Sequence, residues 1–159
     1  MNLIKDLIFN FPLICAGTGW FVAQMLKVLT GMFKERSFNV IELLFGTGGM
    51  PSSHTAAVTS LTVGCGLSEG LNSPAFAISC LLTLIVMRDA TGVRRETGEQ
   101  AKVMNRIMQD LFKSTDHADI DRTLKELVGQ TPLQVFVGFI VGLGIPFLMG
   151  LIPAFGIYG

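Results

Sequence analysis

Long apolar runs, interrupted by one polar stretch, organise the chain. Apolar residues dominate positions 7–29, 51–71, 74–90 and 132–157, and the polar stretch, 91–130, separates the last two runs. A membrane-crossing helix needs about 20 predominantly apolar residues, so these runs predict four spans of one membrane domain. The second span amounts to roughly 30 Å of helix. Its Ala56, Ser60 and Gly64 lie four apart, where a neighbouring helix can approach closely. Ser73-Pro74 reads as a cap and first helical position for the third span. In the fourth, Gly138 and Gly142 repeat the small-residue spacing, and Pro146 and Pro153 are expected to kink or end the helix. The fold class that follows is all-α: a polytopic transmembrane helical bundle of about four spans, with a polar amphipathic segment between the third and fourth.

That polar segment carries a helical pattern of its own. Val103, Met104, Ile107, Met108, Leu111 and Phe112 fall on one face, and Lys102, Asn105, Arg106, Gln109 and Lys113 on the other. The pattern predicts a helix packed on the bundle or lying at the membrane interface. A second short helix is expected around Ile120, Leu124 and Leu127, with Gly129 suited to its C-terminal cap.

Composition agrees with a membrane protein. Half of the residues are hydrophobic, the mean hydropathy is +0.55, and charged residues make up 15%, against about 25% in soluble domains. The zero net charge gives no reason to expect nucleic acid as a partner. Cys15, Cys65 and Cys80 are scattered in apolar runs without metal-like spacing and read as small buried hydrophobes. The N-terminal run lacks the basic flank and small-residue cleavage site of a secretory signal. Charge also orients the chain. Four spans put residues 30–50 and 91–130 on one side, and eleven of the twelve Lys and Arg fall there or at its edge, with Lys5 the exception. The positive-inside rule makes that side cytoplasmic, or the matching compartment of an organelle.

On that face the topology gathers GGMPSSH, RDATGVRR (88–95) and GQTPLQ (129–134), with the Lys27 end of the first span. Free N–H groups at a helix start favour an anion, and Ser52 and Ser53 add hydroxyls there. Arg94 and Arg95 are permanently charged forks for phosphate oxygens, with Lys27, Lys34 and Arg36 available to complete a positive pocket. His54 can deliver a proton to a leaving oxygen near neutral pH. Each residue also has a structural explanation. Ser52 and Ser53 fit helix caps, His54 a hydrogen bond within the bundle, and Arg94 and Arg95 positive anchors. Asp89 suits an ion pair with Arg88 or Arg94, and Thr131-x-x-Gln134 has the form of a capping box.

The runs GGMPSSHTA, IVMRDATGVRRETGEQAKVMN and LKELVGQTPLQVFVG resemble the divergent branch of the type 2 phosphatidic acid phosphatase superfamily. That branch is related to bacterial acid phosphatases and vanadium-dependent haloperoxidases. The resemblance covers nearly the whole chain, from Gly19-Trp20, Ala23-Gln24 and Lys27 to the last span. The superfamily's usual motifs are K-x6-R-P, P-S-G-H and S-R-x5-H-x3-D. They use one histidine as nucleophile, a second as acid, and Lys and Arg to hold phosphate, with no metal or cofactor. By this resemblance 51–54 is the second motif with Ser53 in place of glycine, and His54 is the general acid. Lys27 is the phosphate lysine, joined by Ser52, Ser53, Arg94 and Arg95, with Asp89 and Gln24 in support. The branch typically reads G-H-T-P-L-E before its last span. Here Gln130 stands where the nucleophilic histidine is expected and Gln134 where the orienting acid is expected. A glutamine amide cannot form a stable phospho-adduct. His117, the other histidine, sits in the acidic turn-like stretch TDHADID and is a weak substitute.

The resemblance implies a lipid phosphatase-like protein that hydrolyses or binds a phospholipid or isoprenoid phosphate at the cytoplasmic or stromal face of a bacterial, cyanobacterial or plastid membrane. Three alternatives stay open at this point: a non-catalytic lipid-phosphate binding protein, a structural membrane subunit, and different chemistry such as Asp89 with a metal. Larger superfamily members have six spans, so a homodimer that supports or completes the site is a further expectation.

Overall fold

The computed structural model describes residues 7, 9–32, 50–112 and 129–152. Among them are five helices and no strand: α1 (Phe11–Met32), α2 (Ser53–Glu69), α3 (Pro74–Thr91), α4 (Val93–Phe112) and α5 (Pro132–Gly150). The helix expected around Ile120, the expected extension of the last span to 157, and Lys34, Arg36 and His117 lie outside the described residues. Three helical stretches are long and apolar enough to cross a membrane: Phe11–Thr30, Pro74–Met108, which joins α3 to α4, and Pro132–Gly150. With 17 residues, α2 falls short of that length. It corresponds to about 26 Å of helix, against a hydrocarbon core of about 30 Å.

The position of α2 explains its composition. It packs against α1, α5 and α3, with α1 the most extensive neighbour. Thr55, Ala56, Thr59 and Ser60 are each no more than 2% exposed. A helix enclosed by other helices need not be apolar, and small side chains let the backbones come close. A Cβ on Gly19 would collide with the Ser60 hydroxyl, and one on Gly64 would come within 2.9 Å of Pro12 Cα. On the other flank, a Cβ on Gly142 would lie 2.7 Å from both the Ala56 carbonyl oxygen and Thr59 Cβ. The small residues of α2 therefore fit α1 on one side and the glycines of α5 on the other.

α5 continues through Pro146 to Gly150, so this proline does not end the helix. Proline has no N–H for the carbonyl four residues earlier, and that carbonyl belongs to Gly142. The Ser60 hydroxyl donates to the Gly142 oxygen at 3.1 Å, so the buried acceptor is satisfied from α2. Orphaned carbonyls inside a bundle are tolerated when a neighbouring hydroxyl reaches them. Ser60→Ala is expected to destabilise the protein by about 1–3 kcal/mol, the cost of a buried acceptor left unpaired. Thermal unfolding in detergent beside Thr18→Ala, a half-buried position on α1, measures the difference. Equal melting temperatures would refute the role of this bond.

Local signals set the helix ends. Gly70, with φ of 87°, closes α2, and its N–H reaches the Gly66 carbonyl. Ser73 caps α3 by accepting from the Phe76 N–H at 3.2 Å, with Pro74 in the first turn. The capping box on α5 is complete: the Gln134 N–H donates to the Thr131 hydroxyl at 3.3 Å, and the Thr131 N–H donates to Gln134 Oε1 at 2.7 Å.

Of the two positions expected for α4, on the bundle or at the membrane interface, the structure excludes the first for the described part of its apolar face. Packing of its apolar face on the bundle is not observed, since Val103, Met104 and Ile107 are 59%, 50% and 48% exposed. Asn105, placed on the polar face by periodicity, is buried. The helix leaves α3 at Gly92 and has its substantial helix contact with α3 alone. An amphipathic pattern identifies the two faces of a helix, and the direction of the chain after the preceding turn decides which face meets protein.

Candidate functional site

The polar motifs meet at one end of the bundle through backbone contacts between distant segments. The Thr30 hydroxyl at the end of α1 donates to the Met50 carbonyl at 2.6 Å. The Ser52 N–H donates to the Gln134 carbonyl at 3.0 Å, tying the start of α2 to the first turn of α5. The Gln130 N–H donates to the Ala90 carbonyl at 3.1 Å, tying the approach to α5 to the last turn of α3. Gly129 lies so close to the Arg95 backbone that a Cβ there would collide with Arg95 Cα. Pairing of these N–H groups removes the cost of burying irregular backbone at a bundle end. The bond between Met50 and Pro51 is cis.

His54, in the first turn of α2, is exposed at this end. Lys27, whose carbonyl accepts from the Thr30 hydroxyl at 3.1 Å, belongs to the same end of the bundle. Arg94 Nε donates to Asp89 Oδ2 at 2.5 Å, with both side chains about half exposed. An exposed pair of this kind adds little stability, on the order of 0–1 kcal/mol. Its consequence is geometric: one edge of the guanidinium is held, and no described hydrogen bond uses the terminal nitrogens. Lys27 is 6% exposed and Gln24 3%, both buried on α1.

Several sequence candidates occupy structural positions. Ser52 is fully buried, and its hydroxyl accepts from the Thr55 N–H at 3.3 Å and pairs with the Thr55 hydroxyl at 2.9 Å. It serves as the N-cap of α2. Ser53 is also buried, at 6% exposure. Gln134 is committed through its side chain to the α5 capping box. Arg94 and Arg95 are consecutive positions on α4 and diverge by about 100° around it, and the Arg95 backbone lies against Gly129. Gln130 keeps one notable feature: Oε1 is buried with no hydrogen-bond partner among the described residues. No group of three or more His, Cys, Asp or Glu suited to a metal occurs among the described residues, and Asp89 is engaged by Arg94.

Motif reading missed the residues that join the segments. Thr30 carries no motif and acts through one hydroxyl, while Ala90 acts through its carbonyl, which no side chain signals. Gly138 had a signal in the small-residue spacing, but its partner did not: a Cβ there would lie 2.5 Å from the Ser52 carbonyl oxygen.

Comparison with known proteins agrees with this arrangement. The family described as "Divergent PAP2 family" matches residues 8–145, a range that takes in all the motifs above. An uncharacterized membrane protein, YuiD, of Bacillus subtilis (strain 168) is 40% identical over 147 residues, covering 87% of this chain and 92% of that protein. No solved structure matches the chain significantly. The family match and the extent of this similarity establish that the chain is an integral membrane protein of the divergent PAP2 family.

Proposed function

We propose that this protein binds a lipid phosphate, of the phosphatidate or isoprenoid phosphate type, at the cytoplasmic end of its helical bundle. Four helices, α1, α2, α3 and α5, traverse the membrane in this reading, and Lys and Arg are concentrated at that end. The observation that carries it is the set of ties, Thr30 to Met50, Ser52 to Gln134 and Gln130 to Ala90, that gathers three distant motifs at the start of α2, where His54 sits. A phosphate held there takes charge-assisted hydrogen bonds from Arg94 and the Lys27 ammonium. His54 stands as donor toward the ester or leaving oxygen. Ser52, through its cap, and Gln134, through its carbonyl, fix the start of α2 on which His54 sits.

Hydrolysis by a phosphohistidine route requires a nucleophile, and Gln130 occupies the position where the family resemblance expects it. Gln130 supports a binding role over turnover for this chain. The test uses purified protein in detergent with phosphatidate. His54→Ala and Arg94→Ala should each weaken binding about tenfold, in line with the loss of one charge-assisted bond. Exposed Lys102, paired with Glu99 on α4, provides the control, and Lys102→Ala should bind as the parent does. Unchanged affinity in both site variants would sink the proposal.

A further inference from the structure

A second feature lies on another flank of α3. Between α3 and α5 an open groove of 460 Å³ is lined by Met87, Arg88, Thr91, Pro132, Val135 and Phe136. Its size falls within the range of ligand clefts, roughly 300–1,000 Å³. α3 and α5 touch each other sparingly compared with their packing on α2, which leaves the groove open. Val135 is buried in its wall, and Phe136 is 59% exposed. The Thr91 hydroxyl donates to the Met87 carbonyl at 2.9 Å, so its hydrogen is already used within α3.

Arg88 is the one charged residue of this lining. The two described ion pairs are Arg94 with Asp89 and Lys102 with Glu99, and no side-chain hydrogen bond is described for Arg88. The neighbouring acid, Asp89, is taken by Arg94, and Arg88 points about 100° around the helix from it. The groove joins the last turn of α3 to the first turn of α5, which in the four-span reading proposed above is the level at which these helices leave the hydrocarbon. A guanidinium without an acceptor among the described residues, above apolar walls, complements an amphiphile with an anionic head.

We infer that this groove binds an anionic phospholipid, with the headgroup phosphate on Arg88 and one acyl chain along Met87, Val135 and Phe136. The site is independent of the proposed lipid-phosphate site at His54. Its occupant would brace the junction where the Gln130 N–H meets the Ala90 carbonyl, because Pro132 and Thr91 are its two walls there.

Native mass spectrometry of the full chain tests this, using equal amounts of dioleoyl phosphatidylglycerol and dioleoyl phosphatidylcholine. The parent should retain phosphatidylglycerol about fivefold over phosphatidylcholine, the preference one surface cation confers. Arg88→Gln should abolish the preference and Arg88→Lys should keep most of it. Thr91→Trp, which fills the groove and leaves the charge, should reduce retention of both lipids. His54→Ala should leave the preference intact, which separates this site from the one proposed above. Millimolar inorganic phosphate should not displace the lipid. Equal retention by the parent, a preference that survives Arg88→Gln, or displacement by phosphate alone would each overturn the inference. So would a concentration-dependent dimer that Thr91→Trp dissociates, since a second copy would then be the occupant.

Discussion

Gln130→His is expected to raise phosphate release from phosphatidate by on the order of 100-fold or more over the parent chain, measured in single turnover with protein in excess. Losing a nucleophile removes most of an enzyme's rate, and its return recovers part of it if the remaining groups are in place. Here the proposed acid, His54, sits in the first turn of α2, which the Ser52–Gln134 bond ties to the first turn of α5. The Gln130 backbone is fixed by its bond to the Ala90 carbonyl, one residue from Asp89. Oε1 of Gln130 is buried and unpartnered among the described residues, so replacing the amide breaks no described side-chain bond.

A second change should add to the first. Gln134→Glu places a carboxylate where the family resemblance expects an orienting acid. Glutamate is also the usual third residue of a capping box, so it can still accept from the Thr131 N–H and preserve the start of α5. The double variant should therefore exceed Gln130→His without loss of melting temperature. Acid-labile label on the protein after quenching would identify the phosphohistidine. Release no faster than the parent in both folded variants would remove hydrolysis by this route from consideration.

The largest effect on stability is expected at Gly142. Gly142→Val should destabilise the protein by about 2–4 kcal/mol, because the added atoms collide with the α2 backbone and the Ser60 bond is disturbed. The Ala56 oxygen and Thr59 Cβ already lie 2.7 Å from the position of a Cβ, and neither is the end of a flexible side chain. Gly144, two residues on, faces open space with nothing within 4 Å of its Cβ position. Gly144→Val should stay within about 0.5 kcal/mol of the parent. Unfolding in detergent compares the two glycines, and equal losses would mean that helix propensity, not the α2–α5 contact, is responsible.

Much of this architecture was legible in the chain because it depends on local rules. Apolar length located α1, α3 and α5, and Ser73-Pro74 and Thr131-x-x-Gln134 marked two helix starts that the structure bears out. The convergence of PSSH, RDATGVRR and GQTPLQ followed from alternating spans, which bring the ends on one side together whatever the packing. The family resemblance was legible for a similar reason, since its motifs are contiguous runs.

Contacts between residues distant in sequence were decided only in three dimensions. Nothing local to Ser60 signals that its hydroxyl satisfies the carbonyl that Pro146 orphans on α5. The sequence offered Arg94 and Arg95 as a pair, and the fold engages Arg94 with Asp89 and sets the Arg95 backbone against Gly129. Periodicity defined two faces for α4, while the turn at Gly92 left Val103, Met104 and Ile107 exposed and Asn105 buried. The sequence by itself determined a divergent PAP2 membrane bundle, with a glutamine at the position where the family resemblance expects a nucleophile. The tertiary structure decided which polar groups are spent on holding helices together and which keep donors to offer, because hydrogen-bond saturation depends on neighbours that sequence separation hides.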